Sequence, residues 1–339
     1  MNTPLHWHKE PGARVEASRR LDSSKLQAPC IVRNPSGGFR LFYTAVGPGK
    51  PFPDCQGYIL SAVSDDGLGF RTEPGIRLSP EPGVPQRSLR LIAPSITQCA
   101  EGTWRAYFES RGPANLPTVI ESAISTDQLQ WDFEPGIRLQ SSASLGGPRY
   151  LRLPDGRGRL YCFGSDKSDD EPKSVISAVT SDGLNFEFEP GYRLQSNQTA
   201  YDALGITAAE VIAPESAGEP WTMVYSSWQD VPAGTAAPVH PGQDENAVAS
   251  GRSENFAAES IAVDMAGYRS RIFVATSADG LEWERGPCLI EGAGYGEEGL
   301  DAVHAEDMSL IKLDDGRYRM YYAACDKDGN WRVASAVTE

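Results

Sequence analysis

The stretch Ser64-Asp-Asp-Gly-Leu-Gly-Phe-Arg-Thr-Glu-Pro-Gly-Ile-Arg-Leu78 decides the fold of this chain, because it returns. It recurs as Ser125-Thr-Asp-Gln-Leu-Gln-Trp-Asp-Phe-Glu-Pro-Gly-Ile-Arg-Leu139, as Ser181-Asp-Gly-Leu-Asn-Phe-Glu-Phe-Glu-Pro-Gly-Tyr-Arg-Leu194 and, more loosely, as Ser277-Ala-Asp-Gly-Leu-Glu-Trp-Glu-Arg-Gly-Pro-Cys-Leu289. A fifth copy is split between the two ends. Trp7-His-Lys-Glu-Pro-Gly-Ala-Arg-Val15 matches the second half of the unit, and Trp331-Arg-Val-Ala-Ser-Ala-Val337 matches the strand that should precede it. Self-similarity at a fixed period marks repeated supersecondary units. A ring in which the N-terminal segment completes the last unit accounts for both half-copies.

Ahead of these copies run aromatic and β-branched segments: Phe39-Arg-Leu-Phe-Tyr43, Trp104-Arg-Ala-Tyr-Phe108, Arg159-Leu-Tyr-Cys162, Trp221-Thr-Met-Val-Tyr225 and Tyr318-Arg-Met-Tyr-Tyr322. Bounded by turns such as Asp155-Gly156 and Asp315-Gly316, they read as strands of antiparallel hairpins. Each unit then supplies an inner strand, this aromatic second strand, a third such as Tyr58-Ile-Leu-Ser-Ala-Val63, and a fourth after the Asp-Gly turn. Five such units predict an all-β, five-bladed β-propeller of one domain, residues 1–339, with the N-terminal strand completing the last blade. The recurring Ser, Asp, Gly and aromatic positions, with Arg14, Arg77, Arg138 and Arg193, are assigned to turns and packing between units, since a site repeated in every unit would be five sites. The fourth unit carries an insertion over 228–270, with a Pro/Gly/Ala stretch at 232–242 and a short helix expected within 253–267 on the spacing of Phe256, Ile261 and Met265. It is read as a lid, or as an interface through which copies of the chain would pair.

Acidic residues outnumber basic ones by 46 to 31, a net charge of −15, which gives no counterion-release drive toward nucleic acid. No window approaches the ~20 apolar residues of a membrane span, and the N-terminus lacks a signal-peptide core, so the expectation is a soluble, cytoplasmic protein. Six cysteines without a CxxC spacing read as reduced thiols and not as a zinc site. His6, His8 and His240 are too scattered for a metal centre, and no Walker, GxGxxG or GxSxG context appears, so no metal or cofactor is expected.

The units, with their Ser-x-Asp-Gly-Leu-x-(Phe/Trp) turns, resemble the five-bladed glycoside hydrolases, especially family 43, with its relatives among invertases and levansucrases. Ala28-Pro-Cys-Ile-Val32 looks like that family's first-blade Asp-Pro-x-Val-Ile, and Ala93-Pro-Ser-Ile96 like its second-blade Ala-Pro-Asp-Ile. The resemblance implies a general-base aspartate in blade one, a supporting aspartate in blade three and a general-acid glutamate in blade four. Carried over by motif, the first falls on Ala28 and the second on Gly147, so two of the three acids are absent. The third falls on Glu210 in Thr207-Ala-Ala-Glu-Val-Ile212. In blade five, Asp307-Met-Ser-Leu-Ile311 matches a Gly-His-x-Ser-Val motif, with aspartate in place of the histidine that touches a central ion.

Inner strands crowd around a propeller axis, so polar residues at their ends face one another whatever their sequence separation. Glu210, Asp307, Glu306 and His304 therefore form the candidate catalytic group, in which neighbouring carboxylates would shift one another's pKa. Binding of an axial cation, or of loop amides, is the alternative for these acids. Arg90 and Arg149, with Arg19, Arg20 and Arg87, lead into the funnel and suit a clamp for a carboxylate or phosphate, or else salt bridges between blades. Tyr201, Asp202, Trp228 and Tyr295 lie on loops at the same face, placed for substrate contact or loop packing. Three functions stay open: a glycosidase-like carbohydrate-active enzyme on a small glycoside, a non-hydrolytic acid/base enzyme of specialised metabolism performing a cyclisation or elimination, and a non-catalytic ligand-binding propeller. The resemblance ranks the first ahead.

Overall fold

In a computed structural model, the chain is described over residues 6–18, 20–23, 25–47, 57–113, 115–164, 173–199, 201–203, 205–216, 218–230, 268–292 and 297–339. The N-terminal strand β1 (Trp7–Lys9) is followed by three separate four-stranded sheets, one per repeat. The first is β2 (Lys25–Arg33), β3 (Phe39–Val46), β4 (Tyr58–Ser64) and β5 (Arg71–Thr72), in that order. The second is β6 (Arg90–Gln98), β7 (Trp104–Arg111), β8 (Val119–Ser125) and β9 (Asp132–Phe133), and the third β10 (Gly146–Arg152), β11 (Gly158–Gly164), β12 (Ser174–Thr180) and β13 (Glu187–Phe188). The fourth repeat, β14 (Gly205–Ile212), β15 (Trp221–Asp230), β16 (Tyr268–Ser277) and β17 (Glu284–Ile290), shares one eight-stranded sheet with β18 (His304–Lys312), β19 (Tyr318–Cys325), β20 (Trp331–Thr338) and β1. A single parallel contact, Ser270 with His304, joins its two halves. The only helical turns among the described residues are Arg20–Asp22 and Pro85–Arg87.

The repeated residues explain this architecture. The glutamate of each Glu-Pro-Gly turn ties the second strand to the third: Glu73 binds Arg40 at 2.9 Å and Ser61 at 2.7 Å, Glu134 binds Arg105 and Ser122, and Glu189 binds Arg159 and Ser177. Glu10 does the same for strands at the other end of the chain, with Arg319 at 2.9 Å and Ser335 at 2.6 Å, while Trp7, His8 and Lys9 pair with Thr338, Val337 and Ala336. The fourth repeat, whose copy of the motif is weak, has Thr222 where the others carry that arginine.

Neighbouring units are stitched through the Ser-x-Asp-Gly turns. The Gly67 and Gly183 carbonyls accept the hydroxyls of Tyr321 and Tyr107 at 2.8 Å from the preceding units, and the Arg14, Arg77 and Arg138 guanidinia donate to the Leu68, Leu129 and Leu184 carbonyls. In the third copy the hydroxyl that holds the turn belongs to Thr180, one residue before the Ser181 that the sequence comparison aligned. Inner strands pack side by side in a circuit, β2 on β6, β6 on β10, β10 on β14, β14 on β18, and β18 back on β2. Leu26, Leu41, Tyr43 and Leu60 share a core with Tyr321 and Val333, so apolar burial joins the first repeat to the last.

Within the insertion, β15 and β16 stay in register out to Asp230 opposite Tyr268. Residues 231–267, with His240 and the expected helix, lie outside the described residues, as do Arg19, Cys55 and Tyr295. The five described cysteines are free. No helix among the described residues is long and apolar enough to cross a membrane.

Candidate functional site

Each inner strand carries one irregularity in its ladder: Ala28, Ala93, Gly147 and Asp307 fall at equivalent places, whereas on β14 the irregularity comes one residue earlier, at Thr207, and the register puts Ala208 at the place of the other four. A bulge turns one residue out of the ladder and re-aims its neighbours. The motif positions carried over from the resemblance, Ala28 and Gly147, thus share their structural position with Asp307, the one ionisable residue of the five. At Gly147 no larger side chain fits, because a Cβ would meet the Phe163 ring at 2.7 Å and the Thr207 carbonyl at 2.8 Å.

Just beyond the bulges, a protein side chain lies among the inner strands. Arg149 is buried, and its guanidinium donates to the carbonyls of Pro29 (3.2 Å), Pro94 (3.1 Å), Pro148 (3.1 Å) and Met308 (3.3 Å), each the residue after a bulge, on four different strands. Its Nε lies 3.4 Å from Glu210 Oε2. One level further, side chains stitch each strand to the next: Ser309 Oγ accepts the Ile31 N–H, Cys30 Sγ that of Ile96, and Ser95 Oγ that of Tyr150. On the fourth strand Glu210 stands at the register position of Cys30, Ser95 and Ser309, and its Oε1 accepts the Leu310 N–H at 3.1 Å. Burial pushes the Glu210 carboxyl up, against the pull of Arg149, the Leu310 amide and the Ser309 hydroxyl. Arg149 and Glu210, expected as a substrate clamp and a proton donor facing Asp307, therefore have each other and the strand backbones as partners. Glu210 stands three residues past the Thr207 bulge, whereas Glu306 stands before its own.

The opposite ends of the inner strands gather a second polar group. Glu306 is buried, takes the Trp228 indole N–H at 2.8 Å and lies 3.8 Å from Lys25 Nζ. That ammonium sits 4.1 Å over the Trp331 ring, on which the His304 imidazole stacks at 5.1 Å, with Nδ1 3.0 Å from Ser270 Oγ. The structure thus brings together Glu306, His304 and Trp228 of the expected residues, with Asp307 adjoining them, half-buried, at the bulge.

The remaining candidates are placed differently. Asp202 is buried and serves its own loop, accepting from the Gln198 and Thr199 amides and pairing with Arg285 at 2.6 Å. Tyr201 is exposed and rests on Phe273. Arg90 is buried opposite Arg111 in the β6–β7 ladder, and Arg87 bridges Glu81 and Glu121. The sequence reading passed over Lys25, Phe163 and Glu109. Glu109 is buried, holds Arg111 at 2.6 Å and accepts the Gly147 N–H at 3.3 Å; its only signal is a charge inside the otherwise buried run Tyr107-Phe-Glu-Ser110. Among the described residues, no three His, Cys, Asp or Glu side chains are grouped to hold a metal ion.

No family model matches the sequence, and no curated protein matches it. Solved structures do share its fold. The chain resembles a glycoside hydrolase at a TM-score of 0.65 and 14% identity, over 99% of this chain and 92% of that one. An N-acetylgalactosamine deacetylase from F. plautii, in complex with blood group B trisaccharide, matches at 0.65 and 14% identity over 98% and 95%. A thermostable family-43 glycoside hydrolase matches at 0.59 and 13% over 92% and 88%. The chain therefore has an all-β, glycoside-hydrolase-like fold.

Proposed function

We propose that this chain is a five-bladed β-propeller enzyme of the glycosidase-like class, acting on a small glycoside through carboxylate acid/base chemistry centred on Asp307. The circuit of inner strands and the part that Glu10 and β1 play beside β20 support the five-bladed, closed reading. The observation that carries the chemistry is the placement of Asp307, the single ionisable residue among five bulge positions, beside a Glu306 that Trp228 and Lys25 hold in place. In this reading Asp307 moves the proton at the reacting oxygen, and Glu306 is the neighbouring carboxylate whose charge supports it. Hydrolysis of a panel of 4-nitrophenyl glycosides tests it: Asp307→Asn should lower turnover by about 100-fold or more. Full activity of that variant would remove Asp307 from the chemistry.

A second reading is a non-hydrolytic cyclisation or elimination on the same scaffold. It draws on Ala28, Ala93 and Gly147, which leave three of the five bulge positions without an acid or base. A protein that hydrolyses no glycoside in the panel would favour it.

A further inference from the structure

We infer that Ser226 is a positioning residue for Asp307, and that Asp307 is retained for chemistry in a backbone conformation that costs the fold stability. The inference rests on the assignment of Asp307 as the acid/base residue. At four of the five bulges the backbone is left-handed, with φ of 46° at Ala28, 53° at Ala93, 56° at Gly147 and 51° at Asp307. Left-handed backbone strains L residues, aspartate less than alanine, and of the four only Gly147 is free of it. Asp307 sits in the same positive-φ geometry that glycine satisfies on β10.

A bulge amide that has left the ladder needs another acceptor. At three bulges it is supplied by a side chain on the second strand of the preceding unit. Thr44 Oγ1 takes the Ala93 N–H at 2.8 Å, Glu109 Oε2 takes that of Gly147 at 3.3 Å, and Ser226 Oγ takes that of Asp307 at 3.2 Å. Ser226 is wholly buried, and its Oγ is also 2.7 Å from the hydroxyl of Thr207, the bulge residue of the neighbouring β14. The serine is thereby fixed from two sides, and it fixes the Asp307 backbone in turn. At Ala93 the same kind of cap orients only a methyl group; at Asp307 it sets the direction of a carboxyl.

The experiment compares Ser226→Ala, Thr44→Val, Asp307→Asn and Asp307→Gly with the wild-type full chain, using a 4-nitrophenyl glycoside that the wild type hydrolyses. Ser226→Ala should lower kcat by about tenfold or more with KM within about twofold, and move a limb of the kcat–pH profile, because the reacting group has lost its orientation. Thr44→Val removes the equivalent cap where the bulge residue cannot titrate; it should lower Tm as Ser226→Ala does, yet keep kcat and the profile. A Ser226→Ala protein that loses Tm but keeps kcat and the pH profile would overturn the positioning role. The thermal arm needs no substrate: Asp307→Gly should raise Tm by roughly 2 °C by releasing the left-handed strain. A lowered Tm would show that Asp307 serves the fold. Full activity of Asp307→Asn is a separate result, since it would refute the acid/base assignment itself.

Discussion

Replacing Arg149 with methionine tests whether the packing of the inner strands depends on a protein-borne cation. The substitution keeps most of the side chain's length and removes the guanidinium, leaving the carbonyls of Pro29, Pro94, Pro148 and Met308 without its donors and Glu210 without its ion-pair partner. Breaking one side of a buried pair costs about 3–5 kcal/mol. Each orphaned carbonyl adds up to about 1–3 kcal/mol, less whatever a water admitted to the vacated space restores. Taking the ion pair alone as the floor, Tm should fall by roughly 4–7 °C for a domain of this size, read by calorimetry at neutral pH. Glu210 supplies an internal control. Its pKa is raised in the folded chain by burial, so its ionised form is disfavoured, and the stability it contributes is present at low pH and lost as pH rises through the folded value. Without Arg149 that value rises further, so the penalty of Arg149→Met should shrink on acidification. Adding Glu210→Gln should recover part of the loss, with a coupling of at least about 1 kcal/mol. An Arg149→Met protein that melts within about 1 °C of the wild type would refute the reasoning.

Deleting residues 1–15 removes β1 and the partner of Arg319 and Ser335, so the product should aggregate or melt roughly 10 °C lower, whereas an unchanged melting curve would show that the ends do not complete each other. Asp66 has its carboxyl lowered to about 2 by the Gly69 and Leu68 amides and the Ser64 hydroxyl. Because the folded value lies below the unfolded one, this turn contributes stability above about pH 4 that is lost as pH falls toward 2. Asp66→Asn should flatten the dependence of Tm on pH over that window, and an unaltered slope would remove Asp66 from the acid response.

The sequence alone determined the repeat and the all-β class, because each is a local or periodic property. The turn, the alternating strand and the Glu-Pro-Gly-x-Arg segment keep the same partners in the first three copies, so one unit predicts the others, and the fourth departs where Thr222 replaces the arginine. The candidate site was legible only in part. His304, Glu306 and Asp307 stood out as clustered charges at the start of an inner strand, but their partners Lys25 and Ser226 come from other units, and nothing in their local sequence marks them. Glu210 and Arg149 carried the chemistry expected of a functional pair. Only the tertiary structure showed that they lie beyond the bulges, spent on one another and on the backbone of the neighbouring strands. The physical reason is convergence: inner strands distant in sequence pack side by side, and the partners a charge meets there depend on which side of its bulge it stands.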